Sequence, residues 1–169
     1  AEPPASKKMQ ALNEVLNGIV DAPKGCERAR LGVLPLGTVN VFAREVRIPL
    51  KLQPAWETLR AGRETLIDLG LAEYQENGVP QRRHFAQLAG AGLDARAIEL
   101  VDWRLKKKIG PLAYIVAGLR ALLEAQTKIT VTNGKSEGAG ELVLIGNGSL
   151  YGGDFRIFPP ADMRDGLLD

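Results

Sequence analysis

One stretch constrains this chain more than any other: Leu31-Gly-Val-Leu-Pro-Leu-Gly-Thr-Val-Asn-Val-Phe-Ala-Arg44. Its apolar run from Leu31 to Leu34 ends at Pro35, a Gly-Thr pair follows, and a helical pattern opens at about Val39. That order predicts a short buried strand, a tight turn and a helix start. Gly37 lets the backbone approach a ligand closely, and the Thr38 hydroxyl can donate to an oxyanion. The free N–H groups of a new helix favour negative charge, so a phosphate fits there. A plainer role is open as well, in which Thr38 only caps the helix that follows.

The remaining pattern predicts mixed structure in two parts. Leu12, Val15, Leu16 and Ile19 share one helical face, which predicts an amphipathic helix over Gln10–Val20. Asp21–Arg30 reads as a polar loop and Val39–Val46 as a helix closed by Ile48-Pro49. A short helix is expected over Pro54–Ala61, with proline early and Gly62 just past its end. From Arg63 the character changes. Strands are expected at Thr65–Glu73 and Arg82–Gly90, joined through Glu76-Asn77-Gly78. Further strands are expected at Lys128–Thr132 and, buried, at Glu141–Ile145. Strands in succession suggest an antiparallel β-layer, interrupted by one long helix whose apolar face runs from Leu112 to Leu123. These features place a domain boundary near Arg63.

A second dense segment narrows the reading. Asn147-Gly-Ser-Leu-Tyr-Gly-Gly153 is followed by Pro159-Pro-Ala-Asp-Met-Arg-Asp-Gly-Leu-Leu-Asp169. Taken with Pro35–Asn40, Phe85–Ala95 and Leu12-Asn-Glu-Val-Leu-Asn-Gly18, it resembles the diacylglycerol kinase catalytic family, which includes sphingosine kinases and is distantly related to NAD kinases. The likeness runs from about Ala11 to Asp169. It implies a partial three-layer α/β nucleotide-binding domain over residues 1–62. An antiparallel β-sandwich domain with one long inserted helix would follow over residues 63–169. It implies an ATP-dependent lipid kinase that moves the γ-phosphoryl group to a lipid hydroxyl with Mg2+. Gly37, Thr38, Asn40 and Asn13 would lie at the nucleotide. It also implies a structural metal, Mg2+ or Ca2+, held by the Asp165 carboxylate and by carbonyls at Asp162 and Leu167. From the residues alone, that acidic turn reads equally well as one in which Asp165 bonds its own backbone.

The departures from the family pattern are specific. Lys7, Lys8, Met9, Gln10 and Ala11 stand where the family carries a Gly-Gly-Asp-Gly-Thr loop, and Val41 stands where an aspartate is usual. The family's Asp-Gly-Glu base motif would fall beyond Asp169. The expectation is therefore a fragment with negligible kinase activity of its own. Two alternatives stay open: a non-catalytic lipid-binding or regulatory module, and a kinase of nucleotide substrates resembling NAD kinases.

Composition bounds the partners. A net charge of +2 does not suggest a nucleic-acid binder, and 45% hydrophobic with 25% charged residues predicts a globular core. One cysteine, Cys26, excludes an internal disulfide and fits a reducing, cytoplasmic setting. No signal peptide is visible, and the apolar stretch from Pro111 to Leu123 is too short to span a bilayer. A lipid substrate would be met at a membrane surface, on its inner face, and Lys106-Lys107-Lys108 could meet lipid phosphates there. A homodimer is left open. Asp94, Asp102 and the single histidine, His84, have no catalytic partner in the sequence; His84 reads as an ordinary strand residue.

Overall fold

The fold comes from a computed structural model, which describes residues 5–93, 128–132 and 134–169. Asp94, Asp102, the Lys106–Lys108 cluster and the Leu112–Leu123 helix lie outside the described residues. The chain divides into two compact units. One comprises Gln10–Leu88 with Gly146–Asp169, and the other comprises the residues outside those ranges.

The N-terminal helical pattern folds as α1 (Ala5–Asp21), which runs without a break through the Lys7–Ala11 positions. Its buried side is Leu16 and Asn17, with Val20 packed behind, while Val15, expected on that face, is 53% exposed. Burial has turned the helix by about one position, because Asn17 has a partner to reach. Its carboxamide accepts from the His84 N–H at 2.8 Å and donates to the His84 carbonyl at 2.8 Å, as a neighbouring strand would. The expected polar loop after α1 contains a short helix, α2 (Gly25–Arg28).

The expected strand at Leu31–Leu34 has no ladder partner. The segment is irregular, with Leu31 packed on the cluster of Leu16, Ala86 and Met163. A strand exists only where a neighbour takes its N–H and C=O groups, and no described residue before Gly70 forms one. The segment is held by packing instead: a Cβ added at Gly32 would stand 3.3 Å from Leu59. The helix beyond the turn is α3 (Val41–Glu45), shorter than expected, with Asn40 as its N-cap. The helix α4 (Leu52–Arg60) follows, braced by Gln53 to Glu57 at 2.9 Å. It is closed by Gly62 at φ +65.

The expected hairpin forms from β1 (Gly70–Glu76) and β2 (Val79–Phe85). Asn77 and Gly78 are its two turn residues, at φ 52 and 78. Both angles are positive, as a type I′ connection requires, and this pins the register Glu76↔Val79. Residues 63–69, half of the strand expected to begin at Thr65, are irregular. The remaining strands are β3 (Leu88–Gly92), β4 (Ile129–Thr132), β5 (Glu137–Gly140), β6 (Leu142–Gly146), β7 (Leu150–Tyr151) and β8 (Phe155–Arg156). They pair as β3 with β6, β4 with β5, and β7 with β8. The described residues thus hold four two-stranded sheets rather than one continuous layer. The β6 strand, expected to be buried, leaves Leu142 and Ile145 more than a third exposed. A two-stranded sheet has too little partner surface to cover both faces.

The first unit is tied together by buried asparagines as much as by aliphatic packing. Asn147, 2% exposed, donates from Nδ2 to the Asp68 carbonyl at 2.9 Å and to the Ala86 carbonyl at 2.7 Å. The Asn147 N–H donates to the Gln87 carbonyl at 2.7 Å. Gly146 and Asp169 exchange two backbone hydrogen bonds, at 2.7 and 2.9 Å, which fix the last residues of the chain.

Candidate functional site

The turn from Pro35 to Asn40 is built by one side chain. Asn40 accepts from the Gly37 N–H through Oδ1 at 2.8 Å. Its Nδ2 donates to the Gly37 carbonyl at 2.8 Å and to the Pro35 carbonyl at 3.1 Å. Asn40 itself is left-handed (φ 54, ψ 44), a conformation asparagine tolerates better than most residues. Here the sequence reading needs correcting on two points. Gly37 is required by Asn40, because an added Cβ would stand 2.8 Å from Asn40 Oδ1. Its N–H is also already spent on that side chain, so Gly37 shapes the turn and is not an open donor. The residue at the helix cap is Asn40, not Thr38.

Thr38 is exposed. Among the described residues, neither its hydroxyl nor the N–H groups of Thr38 and Val39 have a hydrogen-bond partner. The turn itself leaves these donors, and the Asn40 N–H beside them, unpaired. Five-residue α3 adds little dipole of its own, so any anion would rest on the donors themselves. Asn13 is half-buried on α1 and its side chain makes no hydrogen bond among the described residues. Its carbonyl accepts from Asn17 at 2.7 Å. His84 is a half-buried strand residue whose backbone is taken by Asn17, in line with the ordinary role read from sequence.

The acidic turn is arranged differently. The Asp162 carboxylate forms a two-pronged ion pair with Arg164, Nε at 2.8 Å and Nη2 at 2.9 Å. The Arg164 guanidinium therefore holds the Asp162 carboxyl below its usual range, and the Arg164 pKa rises in turn. The Asp162 carbonyl accepts from the Arg164 N–H at 2.6 Å and from the Asp165 N–H at 3.2 Å. Asp165 Oδ1 accepts from the Leu167 N–H at 2.9 Å. Asp68 Oδ2 closes the turn from outside, accepting from the Gly166 N–H at 2.9 Å. Both lone pairs of the Asp162 carbonyl are used, and Asp165 bonds its own backbone. The Asp162 carbonyl has no lone pair left for a metal, while Asp165 Oδ2 and the Leu167 carbonyl carry no hydrogen bond among the described residues. Among the described residues no group of three or more His, Cys, Asp or Glu side chains is placed to hold a metal.

Sequence reading did not single out Glu45, Asn17, Gln87 or Asp68, each of which binds a segment far along the chain. No local pattern marks them, since their partners lie dozens of residues away.

Comparison with known proteins bears on the family. The family profile described as "Diacylglycerol kinase catalytic domain" matches residues 11–72. The one described as "YegS C-terminal NAD kinase beta sandwich-like domain" matches residues 87–169. Diacylglycerol kinases of Staphylococcus aureus strains JH9 and Newman are each 30% identical to the chain over 160 residues, or 93% of its length. The crystal structure of a diacylglycerol kinase from Bacillus anthracis str. Sterne superimposes with a TM-score of 0.62 at 24% identity, over 92% of this chain and 48% of that one. That likeness speaks to the fold. The chain belongs to the diacylglycerol kinase catalytic family. It spans about half the length of the curated relatives it matches, 47% of each. No helix among the described residues is long and apolar enough to cross a membrane.

Proposed function

We propose that this chain is part of an ATP-dependent lipid kinase of the diacylglycerol kinase type, which moves the γ-phosphoryl group of ATP to a lipid hydroxyl. Gly37, Thr38 and Asn40 serve the nucleotide, and Asn13 of α1 joins them in this reading. The observation that carries this reading is the Thr38 corner. Asn40 holds it rigid, and it leaves a hydroxyl and two adjacent N–H groups without partners. Unpaired donors on a braced turn suit a phosphate, which accepts several bonds at once and strengthens each by its charge. Mg2+ bound with the nucleotide would neutralise phosphate charge. The lipid would be met at a membrane surface, the parent enzyme lying on the cytoplasmic side. The parent fold would divide near Arg63 into an α/β nucleotide-binding part and a β-sandwich part.

The test is a titration of the purified chain with Mg·ATP, beside Thr38→Val. We expect wild type to bind and the variant to bind about tenfold more weakly, as loss of one hydrogen bond to a charged ligand predicts. Equal affinity would remove Thr38 from the site.

One observation favours a second reading for the polypeptide itself. Helix α1 continues through Lys7–Ala11, where the family pattern has a glycine-rich phosphate loop. A non-catalytic lipid-binding module keeps the Thr38 corner without that loop. ATP turnover above background by residues 1–169 would refute this second reading. Liposome co-sedimentation with no ATP binding would favour it over the first.

A further inference from the structure

Glu45 lies at the end of α3, half-buried, and receives four hydrogen bonds from parts of the chain distant in sequence. Its Oε1 accepts from the Ser149 N–H at 3.1 Å and from the Ser149 hydroxyl at 2.9 Å. Its Oε2 accepts from the Leu150 N–H at 2.8 Å and from Gln87 Nε2 at 3.1 Å. The same Gln87 amide donates to the Leu150 carbonyl at 2.9 Å. Every partner of Glu45 is a donor, so the position calls for a group with two acceptor oxygens and no hydrogen. Only a carboxylate meets that requirement.

The preceding residue grips the other end of the same hairpin. Arg44 donates from Nη1 to both Asp154 oxygens, at 2.6 and 2.8 Å, and from Nε to the Val39 carbonyl at 2.9 Å. Asp154 closes the Gly152-Gly153 turn between β7 and β8. A Cβ added at Gly153 would stand 3.6 Å from Val39 Cγ1, so this turn lies beside the Thr38 corner. Adjacent side chains of α3 thus hold the hairpin at its entry and at its tip. One of them also holds the backbone of the residue after Thr38.

We infer that Glu45 is a positioning residue for the phosphate corner: it pins Ser149 and Leu150, sets the Gly152-Gly153 turn against Val39, and so shapes one wall of the approach to Thr38. The inference rests on the nucleotide reading of Thr38 given above, but it can fail separately. The alternative is that Glu45 is only a fastening, with stability as its whole effect.

The experiment uses the chain 1–169, Mg·ATP as the probe, and amide hydrogen exchange as a second readout. Glu45→Gln keeps the size but turns an NH2 group toward donors, leaving two of them unmatched. Gly148→Ala perturbs the carboxylate without removing it, since the new Cβ would stand 3.0 Å from Glu45 Cδ and Oε2. We expect ATP affinity to fall about tenfold in E45Q and less in G148A, with exchange faster at the Gly37 amide, which Asn40 holds, as well as at 149–154. In Glu45→Ala, added acetate should restore part of the lost affinity at a temperature where the variant is already fully folded, so that regained stability cannot account for it. Affinity and Gly37 amide exchange unchanged in folded E45Q would overturn the inference. Should E45Q fail to fold, G148A and the acetate rescue of Glu45→Ala decide. If wild type binds no Mg·ATP, the functional reading falls. The inference is then judged on exchange alone: faster exchange at the Gly37 amide in E45Q upholds the positioning role, and an unchanged rate overturns it.

Discussion

Two turns of this molecule carry the residue types that chemistry favours, and they use them in opposite ways. At residues 35–40 one side chain, Asn40, satisfies the internal needs of the turn, so the Thr38 hydroxyl and two neighbouring N–H groups are left over. At residues 162–167 the polar groups satisfy each other. Asp162 is spent on Arg164, Asp165 on Leu167, and Gly166 on Asp68. The acidic turn looked as promising in sequence because residue type does not tell which lone pairs are already committed. A turn can serve a ligand only with what its own scaffolding leaves unused.

Three experiments probe that contrast, the largest effect first. The acidic turn hangs from the core by Met163, which is 5% exposed and clusters with Leu16 and Ala86. Met163→Ala should cost about 3 kcal/mol of unfolding free energy in a denaturant titration, by lost burial and the cavity left behind. A cost below about 1 kcal/mol would mean that the hydrogen bonds, not the anchor, hold this turn. Next, Asn40→Ala removes three hydrogen bonds and places alanine at a left-handed position. We expect about 1–2 kcal/mol of destabilisation with loss of Mg·ATP binding. Asn40→Gly should relieve the backbone part alone and leave binding impaired. If Asn40→Ala binds ATP normally, the corner does not depend on its scaffold. Last, Ca2+ or Mg2+ added to the chain should leave the thermal midpoint unchanged, because the acidic turn is closed upon itself. A rise in the midpoint that Asp165→Asn abolishes would restore the metal role the family resemblance implies.

How much could be read in advance depended on how far each signal reached. The Asn77-Gly78 turn and the α4 boundaries, with Pro54 early and Gly62 after, were legible because a few adjacent residues decide them. The Leu31–Leu34 strand was not, since an apolar run fixes burial but not the neighbour that must complete its hydrogen bonds. Thr38 was legible as a candidate donor from its Gly-Thr setting. Its freedom was not, because that depends on the Asn40 side chain taking the internal bonds of the turn. Asp165 had two readings of equal standing; the Leu167 N–H on Oδ1 is the bond the backbone reading expects, and residue type alone could not foretell it. Glu45 was invisible: its partners Ser149 and Leu150 stand 104 and 105 residues away, so no window of sequence contains the interaction.

The pairing of Asn17 with His84 has a consequence outside any binding site. Strand edges with unmet N–H and C=O groups invite other chains to add on and begin aggregation. A helix side chain occupies both groups of His84, so an incoming strand could not run in register past that point on β2 without first displacing it. A single carboxamide thus works as a guard against intermolecular sheet growth.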